Sequence, residues 1–139
     1  KVSETASLLR RYRPDLKEAM IAKIAEICPQ SIGQAIKYAD LDAVGMYDGL
    51  CKILYAKQKF LLNDLLEFCT AATADATNFD LVQELILKFI RENMAHCQDV
   101  ETLYSCWDET NRKFSDCQNI NMDKRQMLIN LLTKICKVL

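Results

Sequence analysis

The chain has 139 residues, half of them hydrophobic and 27% charged, enough apolar material for a substantial interior and too much for a disordered chain. Three Gly and two Pro are too few for a sandwich or barrel, which places a turn about every eight to twelve residues. A formal net charge of -1 supplies no long-range field toward polyanions or membrane surfaces, so any charged site is local.

Length fits a single helical domain over residues 1–139, and a start without Met is consistent with excision from a longer protein. Lys1-Val2-Ser3-Glu4 lacks the basic-then-apolar layout of a signal peptide, and no apolar run approaches a membrane span.

Apolar spacing predicts helices almost throughout. The first runs from Ser3 to Tyr12 and is stopped by Pro14. Asp15 with Glu18 three residues on reads as a capping-box variant, opening a helix with Leu16, Met20, Ile24 and Ile27 on one face and its end at Pro29. Ser31 caps a short third helix through Ile32, Ala35, Ile36 and Ala39. Asp40 is the expected cap of the next, whose apolar positions Leu41, Val44, Tyr47, Leu50, Cys51, Ile53 and Leu54 cover much of its circumference and place it centrally. Gly45 and Gly49 within it point to close approach of a neighbouring helix, with a kink as the alternative.

No breaker occurs in Lys57-Gln58-Lys59, and Phe60 to Ala74 forms another central helix rich in leucine. Asn78 or Thr77 is expected to cap the helix from Phe79 to Ala95, which buries Phe79, Val82, Leu85, Ile86, Phe89 and Ile90 and pairs Glu84 with Lys88. Val100, Leu103, Trp107, Thr110, Phe114 and Cys117 then make a single apolar seam among polar residues, the mark of a peripheral helix. After a loop at Gln118-Asn119-Ile120-Asn121, the last helix, from about Met122 to Val138, presents Met127, Leu128, Leu131, Leu132 and Ile135. The fold class is all-α with about seven or eight helices. It is either a compact helical bundle or a short stack of antiparallel helix pairs of the HEAT/ARM-like α-α repeat kind, since Asp15-Leu16 and Asp80-Leu81 open comparable helices.

Seven cysteines, Cys28, Cys51, Cys69, Cys97, Cys106, Cys117 and Cys136, form no Cys-x-x-Cys pair, and with only His96 for company they assemble no local zinc set. Their positions beside apolar residues suit reduced, buried thiols and an intracellular setting, cytoplasmic or nuclear. A secreted factor with some disulfides is the competing reading. His96-Cys97 is too weak for a thiol protease, because adjacent helical side chains project about 100° apart. Asp40, Asp42 and Asp48 do not match a calcium loop, and no phosphate cradle is evident. No enzyme, catalytic residue, cofactor or metal is therefore expected.

Two surface signals remain. Arg10, Arg11, Tyr12 and Arg13, followed by Lys17, suit phosphate, carboxylate or acidic-helix recognition, against the plainer reading of a solvated helix end. Tyr104 lies just off the Val100–Cys117 seam and is expected at a partner surface, whereas Trp107 reads as core. A second copy meeting along the Val100–Cys117 helix would give a homodimer. The leading functional expectation is a non-enzymatic adaptor or scaffold domain that binds a partner protein's peptide or helix. The alternative is an RNA-binding helical-repeat domain using the Arg10–Arg13 cluster on phosphates, although balanced net charge makes nucleic acid the less favoured partner.

Overall fold

With few glycines or prolines to turn at and apolar residues recurring every three to four positions, the backbone satisfies its own amides as helices. The computed structural model describes residues 2–28, 31–56, 62–96, 98–119 and 123–138. Among these the regular structure is all helix: α1 (Val2–Tyr12), α2 (Glu18–Ile27), α3 (Ile32–Asp40), α4 (Ala43–Tyr55), α5 (Leu62–Ala72), α6 (Ala76–Met94), α7 (Val100–Asn119) and α8 (Lys124–Val138). No helix among the described residues is long and apolar enough to cross a membrane. The predicted stop at Pro29, the Lys57–Lys59 junction, Phe60, and the loop and helix start at Ile120–Met122 lie outside the described residues.

Caps decide several boundaries, and three of them differ from expectation. Ser31 accepts from the Gln34 amide, as read from the sequence. Asp15 caps nothing: α2 begins after Lys17 without a side-chain cap, because Arg13 holds the Asp15 carboxylate and Arg10 holds Glu18. Asp40 ends α3 instead of opening α4, and the chain turns two residues later at Asp42, whose φ of 54° lies in the left-handed region that Asp tolerates. α6 begins earlier than the Phe79 start, since Asp75 accepts from the Asn78 amide at 2.7 Å and leaves Thr77 and Asn78 inside the first turn.

Buried faces also shift. α2 turns Ile21, Ile24 and Ala25 inward and leaves Met20 and Ile27 half-buried. α5 buries Leu65, Cys69 and Ala72, while Leu62 is exposed. Neither glycine of α4 answers to a crowding neighbour helix among the described residues. A Cβ at Gly45 would sit 2.7 Å from the Asp42 carboxylate of the same chain turn, and one at Gly49 would meet Phe68 at an ordinary 3.5 Å.

Contacts gather into two compact units, Lys1–Asp48 and Gly49–Leu139, divided inside α4. In the first, α1, α2 and α3 each touch the other two, and the buried side chains are mostly small or aliphatic: Leu9, Ile21, Ile24, Ala25 and Ala35, with Tyr38. In the second, α5 meets α6, α6 meets α7, α7 meets α8, and α8 returns to α5, closing a four-helix ring. α6 and α7 run antiparallel, as Phe79 stacks on Phe114 at 4.6 Å and Gln83 donates to Asn111 at 3.2 Å. The Lys124 ammonium lies 5.0 Å over the Phe79 ring, adding a cation–π contact at the same end. The last turns of α4 join this unit through Tyr55 on Phe89, 5.0 Å between ring centres, and the Cys136 thiol on the Ile53 carbonyl.

Candidate interaction site

Five of the six residues expected at a partner surface, Arg10 to Arg13 and Lys17, lie at the end of α1 and in the connection to α2, within the first unit. Two of these arginines are engaged inside the unit. Arg10 Nε donates to both Glu18 oxygens at 2.9 and 3.0 Å. Arg13 presents the fork that matches a carboxylate, with Nε and one terminal nitrogen on the two Asp15 oxygens at 3.0 Å each, while its other terminal nitrogen donates to Asp40. Arg13 thus clasps the α1–α2 connection to the end of α3. The Asp15 carboxyl is held below its ordinary range, chiefly by the Arg13 hydrogen bond, and the Arg13 guanidinium is raised by the same bond. Arg11 and Lys17 are exposed with no ion pair among the described residues, and Tyr12 is 62% exposed.

Tyr104 lies in the second unit, 58% exposed on α7, one turn from Val100, which is 47% exposed. Neither Val100 nor Trp107 belongs to the buried seam of α7. Trp107 is half-buried, and Leu103, Cys106, Thr110, Phe114 and Cys117 make up the covered face, with the Thr110 hydroxyl satisfied by the Cys106 carbonyl. Four of the six expected seam residues, Leu103, Thr110, Phe114 and Cys117, are buried as their spacing predicts, and Cys106 takes the covered place expected for Trp107.

A concavity runs between α7 and α8 and was not legible from either helix alone. One cleft of about 330 Å³ is floored by Met127 and Leu131 and rimmed by Glu109, Lys113, Asp123, Gln126, Asn130 and Lys134. A second, of about 320 Å³, continues toward Thr102, Ser105, Cys106 and Val138. Glu109 and Lys134 line both, joined at 2.6 Å, so this ion pair stands between the two hollows. At 1.5 Å per residue, Gln126 to Val138 marks out a furrow of about 18 Å.

Charge in the first cleft is unevenly engaged. Glu109 is only 16% exposed and is held by Lys134, with Arg112 3.8 Å away on its other oxygen. Asp123 accepts from the Gln126 amide at 3.1 Å and so caps α8. Gln126 in turn donates to Asn130 at 3.1 Å along the rim. Lys113 alone among these charged rim groups has neither an ion pair nor a side-chain hydrogen bond among the described residues.

Cys69, Cys106, Cys117 and Cys136 are buried thiols, Cys28 is also buried and Cys51 is half-buried. Burial pushes Cys69 up to about 12 and raises Cys106, Cys117 and Cys136 in the same direction, which makes poor nucleophiles of them. His96 is exposed at the end of α6, and Cys97 lies outside the described residues. Among the described residues no group of three or more His, Cys, Asp and Glu is placed to hold a metal ion. Compared with known proteins, the chain matches no family model, no curated protein and no solved structure.

Proposed function

We propose that this chain is a non-enzymatic protein-interaction domain that receives an amphipathic helix of a partner protein in the furrow between α7 and α8. The observation that carries the reading is the furrow itself. Two antiparallel helices side by side offer a third helix a row of hollows into which its own side chains fit as ridges into grooves. The first cleft of the furrow has an apolar floor of Met127 and Leu131 and a polar rim, the layout of a helix-binding groove. Glu109, Lys134, Asp123, Gln126 and Asn130 on the rim are already fixed by an ion pair and hydrogen bonds, so little ordering of these groups is required on binding.

The competing expectation, RNA bound by Arg10–Arg13, gains no such support. Arg13 places Nε and both terminal nitrogens on Asp15 and Asp40, and Arg10 pairs through Nε with Glu18, which leaves Arg11 and Lys17 as the basic groups of that stretch without an ion pair among the described residues. Phosphate binding of useful strength needs several cations together.

A displayed library of amphipathic helices with varied polar positions tests the proposal. Helices recovered on the intact chain should lose binding to Asn130→Trp, whose indole fills the first cleft from an exposed helix position and leaves the core untouched. Recovery of no helix, or binding indifferent to that substitution, overturns the reading.

A further inference from the structure

Resting on the furrow as a helix-binding site, the chemistry of its occupant follows from the rim charges that the chain leaves unmatched. Glu109 and Lys134 are bonded to each other and largely cancel, with Arg112 approaching the other Glu109 oxygen from outside the first cleft. Lys113 has no carboxylate partner among the described residues. Asp123 accepts from the Gln126 amide and has no cation partner among the described residues. The rim therefore keeps one ammonium and one carboxylate for an incoming chain to match. These two stand on different walls and at different places along the furrow. Glu109 and Lys134 are equally far from the α7–α8 connection, which sets the helices antiparallel and in register. Asp123 is at the head of α8 and Lys113 lies six residues short of the Asn119 end of α7, so about 9 Å separates them along the axis.

We infer that the partner helix is of mixed charge. Its apolar side chains descend over Met127 and Leu131, an acidic side chain on one flank of that stripe meets Lys113, and a basic one on the other flank, about two turns nearer the connection, meets Asp123. An all-acidic helix gains at Lys113 and loses at Asp123, and an all-basic helix does the reverse. Turning the mixed helix end for end puts like charge against both rim groups, so the same pair fixes which end lies at the connection. Apolar anchors in the cleft of about 330 Å³ supply most of the attraction, while the charges select among helices of equal apolarity.

The test uses four synthetic helices with identical leucine positions and two flanking sites, filled as Glu then Lys, Lys then Glu, both Glu or both Lys, and follows binding to the whole chain by fluorescence anisotropy. One of the two mixed helices is expected to bind about fivefold more tightly than either single-sign helix at low salt, with the gap shrinking as salt rises. Lys113→Gln should erase its advantage over the two-Lys helix. Asp123→Asn, which keeps an oxygen to cap α8, should erase its advantage over the two-Glu helix. Asn130→Trp should abolish binding of all four. A single-sign helix that binds as tightly as the better mixed one, and is blocked by Asn130→Trp, overturns the mixed-charge assignment and leaves the furrow reading standing. Failure of all four to bind removes the furrow reading as well. A dimer of the chain alone that Asn130→Trp dissociates assigns the furrow to a second copy and also overturns the inference.

Discussion

In Lys1–Asp48 the helices run 9 to 11 residues, their buried side chains are mostly aliphatic or alanine, and the chain connections are held by exposed arginine–carboxylate pairs. In Gly49–Leu139 α6, α7 and α8 run 19, 20 and 15 residues, and fully buried Phe79, Phe89 and Phe114 fill the ring. Short helices present few inward positions each, so surface electrostatics have more influence on where their ends go. Long ones bury enough aromatic area for shape to decide instead. The first arrangement is open to salt and acid, and the second answers mainly to cavities.

The contrast is broken most directly by Phe114→Ala. Loss of a buried ring stacked on Phe79 should cost about 3–5 kcal/mol, read as a lower urea midpoint of Trp107 fluorescence. A loss under about 1 kcal/mol would mean the aromatic ring is not what holds the second unit. Next comes alkali. The folded pKa of Cys69 is raised by burial, against a smaller lowering by Arg125, so its stabilising contribution is complete below the ordinary thiol pKa and drains away as pH climbs toward about 12. Melting temperatures should fall as pH rises from about 9 toward about 12, and Cys69→Ala should flatten that slope. An unchanged slope would exclude this thiol as the cause.

Asp75→Ala removes the cap of α6 and should destabilise the second unit by about 0.5–2 kcal/mol in urea titrations. Ser31→Ala, which loses a longer 3.3 Å bond on α3, should sit at the lower end of that range or below it. The smallest effect sharpens the comparison from the other side. Arg13→Gln opens the clasp on Asp15 and Asp40, and amide exchange in α1 to α3 should quicken at neutral pH and low salt. Asp15 has a depressed folded pKa, so the stability it lends is present above the ordinary aspartate pKa and is lost as pH falls through the lowered value. The difference between native chain and variant should therefore fade in acid and in concentrated salt. A difference that persists in both would assign the clasp to packing instead of charge.

Helix existence was readable because the signal repeats: the α6 face from Phe79 to Ile90 and the α8 face from Met127 to Ile135 are buried as their spacing predicts. Boundaries were less so. Asp15 and Asp40 have the chemistry of caps, but Arg13, 27 residues before Asp40, takes both carboxylates, and no local pattern reports a partner that distant. The same bonds hid the fate of the arginine cluster, which is visible as residues and invisible as pairs. The α7–α8 furrow left a fainter trace. Glu109 is one of the polar residues between the seam positions of α7, and its shelter depends on Lys134 arriving from another helix. Lys113 showed no signal in the sequence, since its distinction lies in what its neighbours are already bonded to.

Asp42 and Gly45 are bound by a mutual constraint that matters to anyone redesigning the start of α4. Gly45→Ala offers about 1 kcal/mol of helix propensity, but the added methyl would meet the exposed Asp42 carboxylate at 2.7 Å, so that side chain has to swing aside. Exchanging the two requirements together, Asp42→Gly with Gly45→Ala, puts the residue without a Cβ where the backbone bends and the methyl where the helix runs. In homologous chains, substitutions at these positions should arrive in tandem, and a mutational scan would score each single change below the double.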